Sequence, residues 1–249
     1  MKIAIITGGG SGLGHVFYQV ISKRYPDLDE YWLIDIQKDK LEKIAEEDEK
    51  VRPLTLDLGD DASYQKLQER LEENGADIRV LINNAGVETV AFFKDASEKA
   101  LINTVKVDAE AVMRIDKSCI PFMNRGSILI HTASIYAFSP VPGDAVYAAA
   151  KSFVRSLSMA LHEELKDQGI KVLTLCPGSM KTSLDRSDIR RNTVSMPYLK
   201  MEDVAKGALE QAEKGRSVYV PHFYYRAYSF FCKILPSTLT ARILGKNYR

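Results

Sequence analysis

Cysteine is scarce in this chain. Cys119, Cys176 and Cys232 are few, odd in number and far apart, which argues against a disulfide framework and fits reduced thiols in a cytosol. Histidine is no richer: His15, His131, His162 and His222 are scattered without ligand spacing, so no metal site is expected. Charge of either sign is almost cancelled, 34 Lys and Arg against 33 Asp and Glu, and that balance gives no general case for a nucleic-acid partner. There is no internal repeat, no low-complexity linker and no Pro/Ser-rich hinge to divide the 249 residues, so one domain is expected, large enough to bury a sizeable core. A strand signal begins at Lys2, so no signal or transit peptide is expected. A cytoplasmic location follows as the expectation.

What is present is alternation. Short, β-rich apolar runs fall at 2–6, 31–36, 51–56, 78–82, 127–132, 170–175 and 217–220, separated by segments of helical periodicity. Strands alternating with helices predict an α/β fold, a single Rossmann-type doubly wound domain with a seven-stranded parallel sheet and helices on both faces. The Glu/Lys-rich segments 38–50 and 61–75 read as solvated helix faces. Such sheets bind ligands beyond the carboxyl ends of their strands, and the motifs below stand at those ends.

The first strand runs directly into Thr7-Gly8-Gly9-Gly10-Ser11-Gly12-Leu13-Gly14 and then into a helical pattern. Glycines at 8, 12 and 14 let the backbone turn tightly and approach a pyrophosphate, whose charge the N-terminus of the next helix favours. Tyr147 and Lys151 stand four apart, the spacing that places two side chains on one face of a helix. A cation held beside a phenol favours the phenolate and brings it toward acid/base work at neutral pH. Ser134 precedes them by thirteen positions and sits in Thr132-Ala133-Ser134-Ile135, not in the G-x-S-x-G turn of a hydrolase nucleophile.

With Asp57-Leu58 after the third strand, Asn83-Asn84-Ala85-Gly86 after the fourth and Pro177-Gly178 then Thr182 after the sixth, these motifs stand in one order. In that order the chain resembles the short-chain dehydrogenase/reductase family over nearly all of residues 1–220. The resemblance implies hydride transfer between a nicotinamide cofactor and a carbonyl or secondary alcohol carbon. Tyr147 is then the general acid or base, Lys151 its pKa-lowering neighbour and a ribose ligand, and Ser134 the partner of the substrate oxygen. By the same resemblance Gly8, Ser11, Gly12, Leu13 and Gly14 hold the pyrophosphate, Asp57 reaches the adenine amino group and Leu58 flanks its ring, Asn83, Ala85 and Gly86 line the adenosine side, and Pro177, Gly178 and Thr182 meet the nicotinamide. The epimerases and dehydratases that share the fold are excluded only weakly.

Asp35 ends the second strand about twenty residues beyond the glycine loop, where a carboxylate reaches ribose hydroxyls and repels a 2′-phosphate. NADP-using relatives usually supply a cation at the positions held here by Ser11 and Ile36. NAD is therefore the expected cofactor, with NADP the lesser choice. One departure concerns the place, counted back from Pro121-Phe122-Met123, where the family usually carries an asparagine in its proton relay. Asp108 stands there. An ionised aspartate accepts hydrogen bonds but donates none, and this residue alone motivates an alternative reading as a nucleotide-sensing binding protein without turnover.

Two segments shape the substrate pocket in relatives, 135–144 and a lid at about 179–200. They offer Tyr136, Phe138, Val141, Leu184, Met196, Tyr198 and Leu199 beside Arg186, Arg190 and Arg191. A bulky apolar substrate with a distal anionic group suits them, a steroid, bile-acid-like alcohol or acyl chain; charges that merely face water are the alternative. The resemblance also implies a homodimer or homotetramer through helices at about 100–123 and 145–165, with Ala109, Val112, Ala149, Phe153 and Leu157 as candidate contacts or, equally, as residues of the core within one chain. Residues 221–249 form an aromatic, basic extension without a single acid. On a helix its broad face is Phe223, Tyr224, Ala227, Tyr228, Phe231, Ile234 and Leu235, with Arg226, Ser229 and Lys233 opposite. No apolar run in it approaches the ~20 residues that span a bilayer. Covering the pocket, meeting another subunit, or lying peripherally on a membrane remain its readings.

Overall fold

The computed structural model describes residues 1–181 and 196–246. Its centre is one seven-stranded sheet, every pair parallel, in the order β3-β2-β1-β4-β5-β6-β7. The strands are β1 (Lys2–Thr7), β2 (Glu30–Asp35), β3 (Val51–Thr55), β4 (Asp77–Asn83), β5 (Met123–Thr132), β6 (Lys171–Leu175) and β7 (Val218–Tyr219). Burial on both faces explains the unbroken apolar runs. Ala4 and Ile6 face one side and Ile3 and Ile5 the other, all four fully buried.

The first side is covered by α1 (Gly12–Arg24), α2 (Lys38–Glu47) and α7 (Met201–Glu213), through Phe17 and Ile21, Leu41, and Ala205 and Leu209. The second is covered by α3 (Asp61–Glu73) and α5 (Ala111–Cys119), through Tyr64, Leu67 and Ile115, while α6 (Ala145–Glu164) packs along β6. The Glu/Lys-rich segments are thus helices with one solvated and one buried face. Chain order reverses between β1 and β4, which opens a crevice at their carboxyl ends.

Two elements differ from expectation. β5 starts at Met123, four residues early, because its exposed Asn124, Arg125 and Gly126 carry no apolar signal. The helix expected over 100–123 is broken: α4 (Glu98–Val105) passes through a π-helical turn, Lys106–Glu110, before α5 begins. After β7 come α8 (Phe223–Ile234) and α9 (Ser237–Gly245), which return over the carboxyl end of the sheet. None of the described helices is long and apolar enough to cross a membrane.

Candidate active site

Beyond the carboxyl ends of the strands lies a cavity of about 920 Å³, running from Asp35 and Asp57 at one end to Ser134, Tyr147 and Lys151 at the other. Its floor is the glycine loop. Gly8 and Gly12 have φ of +68° and +54°, conformations that glycine adopts without strain. A Cβ on Gly14 would fall 2.1 Å from the Gly8 carbonyl oxygen, so α1 can start this close to the turn only as glycine. Thr7 Oγ1 accepts from the backbone N–H groups of Asn84 (2.8 Å) and Ala85 (2.9 Å), stitching the ends of β1 and β4 together across the crevice.

Gly8, Ser11, Gly12, Leu13, Asp35 and Ile36 line this floor, and Asp57, Leu58, Ala85 and Gly86 line the wall beside it. Asp35 takes the backbone N–H of Gly10 on one carboxylate oxygen and that of Gln37 on the other, each at 3.0 Å, which fixes its plane toward the cavity. Glycines packed against backbone, an open helix N-terminus and a fixed carboxylate at the end of β2 fit a dinucleotide. Two expected residues do not reach the cavity. Asn83 turns into the core, donating to the Val112 carbonyl (3.0 Å) and to Asp116 (3.3 Å), because successive residues of a strand point to opposite faces. Its neighbour Asn84 lines the cavity instead. Gly14 lies beneath the loop, where it serves packing.

The other end is built on α6. Lys151 is buried, its ammonium 2.9 Å from Asp108 Oδ2, and it donates to the Thr132 carbonyl at 3.3 Å. Asp108 is fully buried and its other oxygen accepts the Val87 N–H at 2.7 Å. The wider π turn is where Asp108 leaves the helix surface for the cavity wall. Gly86 leaves the room: a Cβ there would lie 3.0 Å from Asp108 Oδ2 and 3.3 Å from Lys151 Nζ. Tyr147 stands one helical turn from Lys151, whose ammonium is 5.5 Å from its ring centre. Ser134 sits in extended backbone and accepts the Tyr136 N–H at 3.2 Å.

The effects that dominate at Tyr147 oppose the lowering expected of Lys151. Burial holds the phenol well above its ordinary value, the charges of Glu88, Asp108 and Asp144 push the same way, and a hydrogen bond with Ser134 only partly opposes them. Burial likewise raises Asp108, with Lys151 working against it.

Of the expected substrate residues, Tyr136, Met196 and Tyr198 line the cavity. Phe138 carries the Arg155 guanidinium 4.6 Å over its ring, Val141 is buried, and Leu199 packs against the core, and none of the three lines the cavity. Thr182, Leu184, Arg186, Arg190 and Arg191 lie outside the described residues. Of the tail face expected to cover the pocket, Phe223, Tyr224, Ala227, Tyr228, Phe231, Ile234 and Leu235, only Tyr224 and Tyr228 line the cavity; Tyr225, Ile243 and Leu244, which that reading missed, complete the far wall together with Glu88. Tyr225 accepts the Ser179 N–H and donates to the Pro197 carbonyl, both at 3.0 Å, and its ring covers Gly178 so closely that a Cβ there would lie 1.9 Å from Cζ. The inner face of α8 is thus Tyr225 and Ser229, with Tyr228 beside them, and much of the broad face expected to cover the pocket points outward. Among the described residues no three His, Cys, Asp or Glu side chains gather to hold a metal ion.

The family model for short chain dehydrogenase matches residues 2–192. The chain belongs to the short-chain dehydrogenase family. Oxidoreductase UcpA of Salmonella typhimurium is 29% identical over 212 residues, covering 82% of this chain and 79% of its own. The very-long-chain 3-oxoacyl-CoA reductase of Bos taurus is 31% identical over 206 residues, 78% of this chain and 64% of that one. A short-chain dehydrogenase from Sphingobium yanoikuyae, solved in complex with NADPH, superposes with a TM-score of 0.78 at 24% identity, covering 100% of this chain and 97% of that one. By its family this dehydrogenase is an oxidoreductase.

Proposed function

We propose that this dehydrogenase interconverts a secondary alcohol and a ketone with NAD(H), on a bulky apolar substrate. The observation that carries the reading is one continuous cavity with the Asp35 carboxylate at one end and the Tyr147 hydroxyl at the other. The nicotinamide, when bound, supplies or accepts the hydride. The protein's own residues handle the proton: Tyr147 gives it to the carbonyl oxygen in reduction and takes it from the alcohol in oxidation, while Ser134 holds that oxygen in place. Lys151 is anchored on Asp108 and Thr132, so its ammonium has a fixed position for a ribose hydroxyl. Asp108 acts by holding Lys151.

Asp35 supports NAD, since a carboxylate at that place repels a 2′-phosphate, and neither Ser11 nor the exposed Ile36 supplies a cation. The apolar substrate is supported by Tyr136, Met196, Tyr198, Tyr225 and Ile243 around the cavity, and by the acyl substrate in the bovine relative's name. The alternative, a sensing protein without turnover, is motivated by Asp108 alone, and the pairing of Asp108 with Lys151 supports the enzyme reading over it. The test follows absorbance of the reduced nicotinamide while the purified protein meets NAD(H) and NADP(H) with steroid, bile-acid-like and 3-oxoacyl substrates. Turnover with NADH on at least one bulky ketone is expected; binding of NADH without turnover on any of them favours the sensing protein.

A further inference from the structure

Helix α8 has three sectors. Its inner sector, Tyr225 and Ser229, is buried against the cavity wall. The opposite sector presents Phe223, Phe230, Phe231 and Ile234, each between 58% and 63% exposed, a density of large apolar groups that a solvated helix does not ordinarily carry. Between the two lie Arg226 and Lys233, both exposed. Beyond Pro236, α9 repeats the combination with exposed Leu239, Ile243, Arg242 and Lys246. From Phe223 to Lys246 there is no carboxylate, in a chain that carries 33 elsewhere or in balance with its cations overall. Aromatic and aliphatic groups flanked by cations of one sign are complementary to an anionic lipid surface, where apolar side chains enter the headgroup boundary and cations meet phosphates.

The same helices form the mouth of the cavity. Tyr224 and Ile243 line it while remaining 53% and 50% exposed, so they belong at once to the cavity and to the outward apolar surface. We propose that α8 and α9 seat the enzyme on an anionic bilayer with the cavity mouth toward the lipid, so that an apolar substrate enters from the membrane. The route of the substrate rests on the function proposed above; the surface contact does not.

The test is sedimentation of the full chain with vesicles of phosphatidylcholine, alone and mixed with phosphatidylglycerol. Binding to the mixed vesicles, weakening as salt is raised, is expected. A Phe230→Ser, Phe231→Ser, Ile234→Ser variant is expected to lose binding by roughly tenfold or more while retaining NADH binding. A second variant, Arg226→Gln with Lys233→Gln, needs no change in the apolar surface and is expected to flatten the salt dependence. Three outcomes overturn the proposal: no vesicle binding, equal binding to neutral and anionic vesicles, or a serine variant that binds vesicles normally but has fallen from dimer to monomer, which assigns the face to a second copy. Because vesicle binding is read without turnover, an inactive protein that binds refutes the function and leaves the surface standing.

Discussion

The Lys151 ammonium lies 2.9 Å from Asp108 Oδ2, and both side chains are buried. The Asp108 carboxylate sets a negative charge beside the ammonium that would favour a phenolate at Tyr147, and that charge holds the phenol up. Tyr147 therefore keeps its proton through neutral pH. In the proposed reaction it is ready to donate in ketone reduction, but must first lose that proton to act as base in alcohol oxidation.

The sign of the pH dependence follows. Oxidation is expected to rise with pH well into the alkaline range, and reduction to stay level across neutrality. Asp108→Asn deletes a charge that raises Tyr147 while keeping an acceptor for the Val87 N–H, so the alkaline limb should move to lower pH. An oxidation profile unchanged in that variant counts against the coupling. Asp108→Ala, which strands a buried ammonium, is expected to cost about 3–5 kcal/mol of stability in denaturant unfolding.

Tyr147→Phe keeps the ring and deletes the transferable proton. Turnover is expected to fall roughly 10²–10⁴-fold with NADH affinity little changed, measured by single-turnover absorbance and fluorescence titration. Near-normal turnover would mean that another group moves the proton.

Asp35 tests the cofactor. The unmodified enzyme is expected to bind NADH more tightly than NADPH, and Asp35→Ala to erode the difference. Competitive titration of the two checks it, and tighter NADPH binding by the unmodified protein would overturn the assignment.

Gly178 has no room for a side chain under the Tyr225 ring. Gly178→Ala is expected to destabilise by about 1–3 kcal/mol through overpacking and to make α8 and α9 more susceptible to protease, with Tyr225→Leu in the same chain restoring part of the loss. Thermal unfolding and limited proteolysis of the single and double variants measure both effects.

Self-association is expected through one surface. Ile102, Val105 and Met113 on α4 and α5, and Phe153 and Met159 on α6, are all more than a third exposed, whereas Ala109 and Val112, also expected at a contact, are already buried within one chain. Sedimentation should show a dimer at micromolar concentration, and Phe153→Glu a monomer.

Most of the sheet was legible because strands covered on both faces must be apolar at consecutive positions, as at Ile3 to Ile6. The pairing of Tyr147 with Lys151 was legible because a helix repeats every four residues. The burial of Asn83 was not: two adjacent asparagines look alike in a sequence, and only the pleat decides which one faces the crevice. The π turn at Lys106–Glu110 left no mark either, since one wider turn changes no residue type. In the tail the helix was readable and its inner face was not. Ranking sectors by hydrophobicity selects Phe223, Phe231 and Ile234, yet the side turned inward is tyrosine and serine, whose hydroxyls find partners such as Ser139, 2.6 Å from Tyr228.

The ring that roofs Gly178 also sets an order of assembly. Tyr225 is made 46 positions after Ser179, to which it bonds, and follows every strand of the sheet. At roughly 5–20 residues per second, synthesis leaves an interval on the order of seconds in which β1 to β6 can pair while the cavity still lacks a wall. Over that interval the nascent enzyme exposes the apolar lining that the finished one encloses, and a chaperone or a cofactor that binds the half-built crevice meets it before the helices that close it exist.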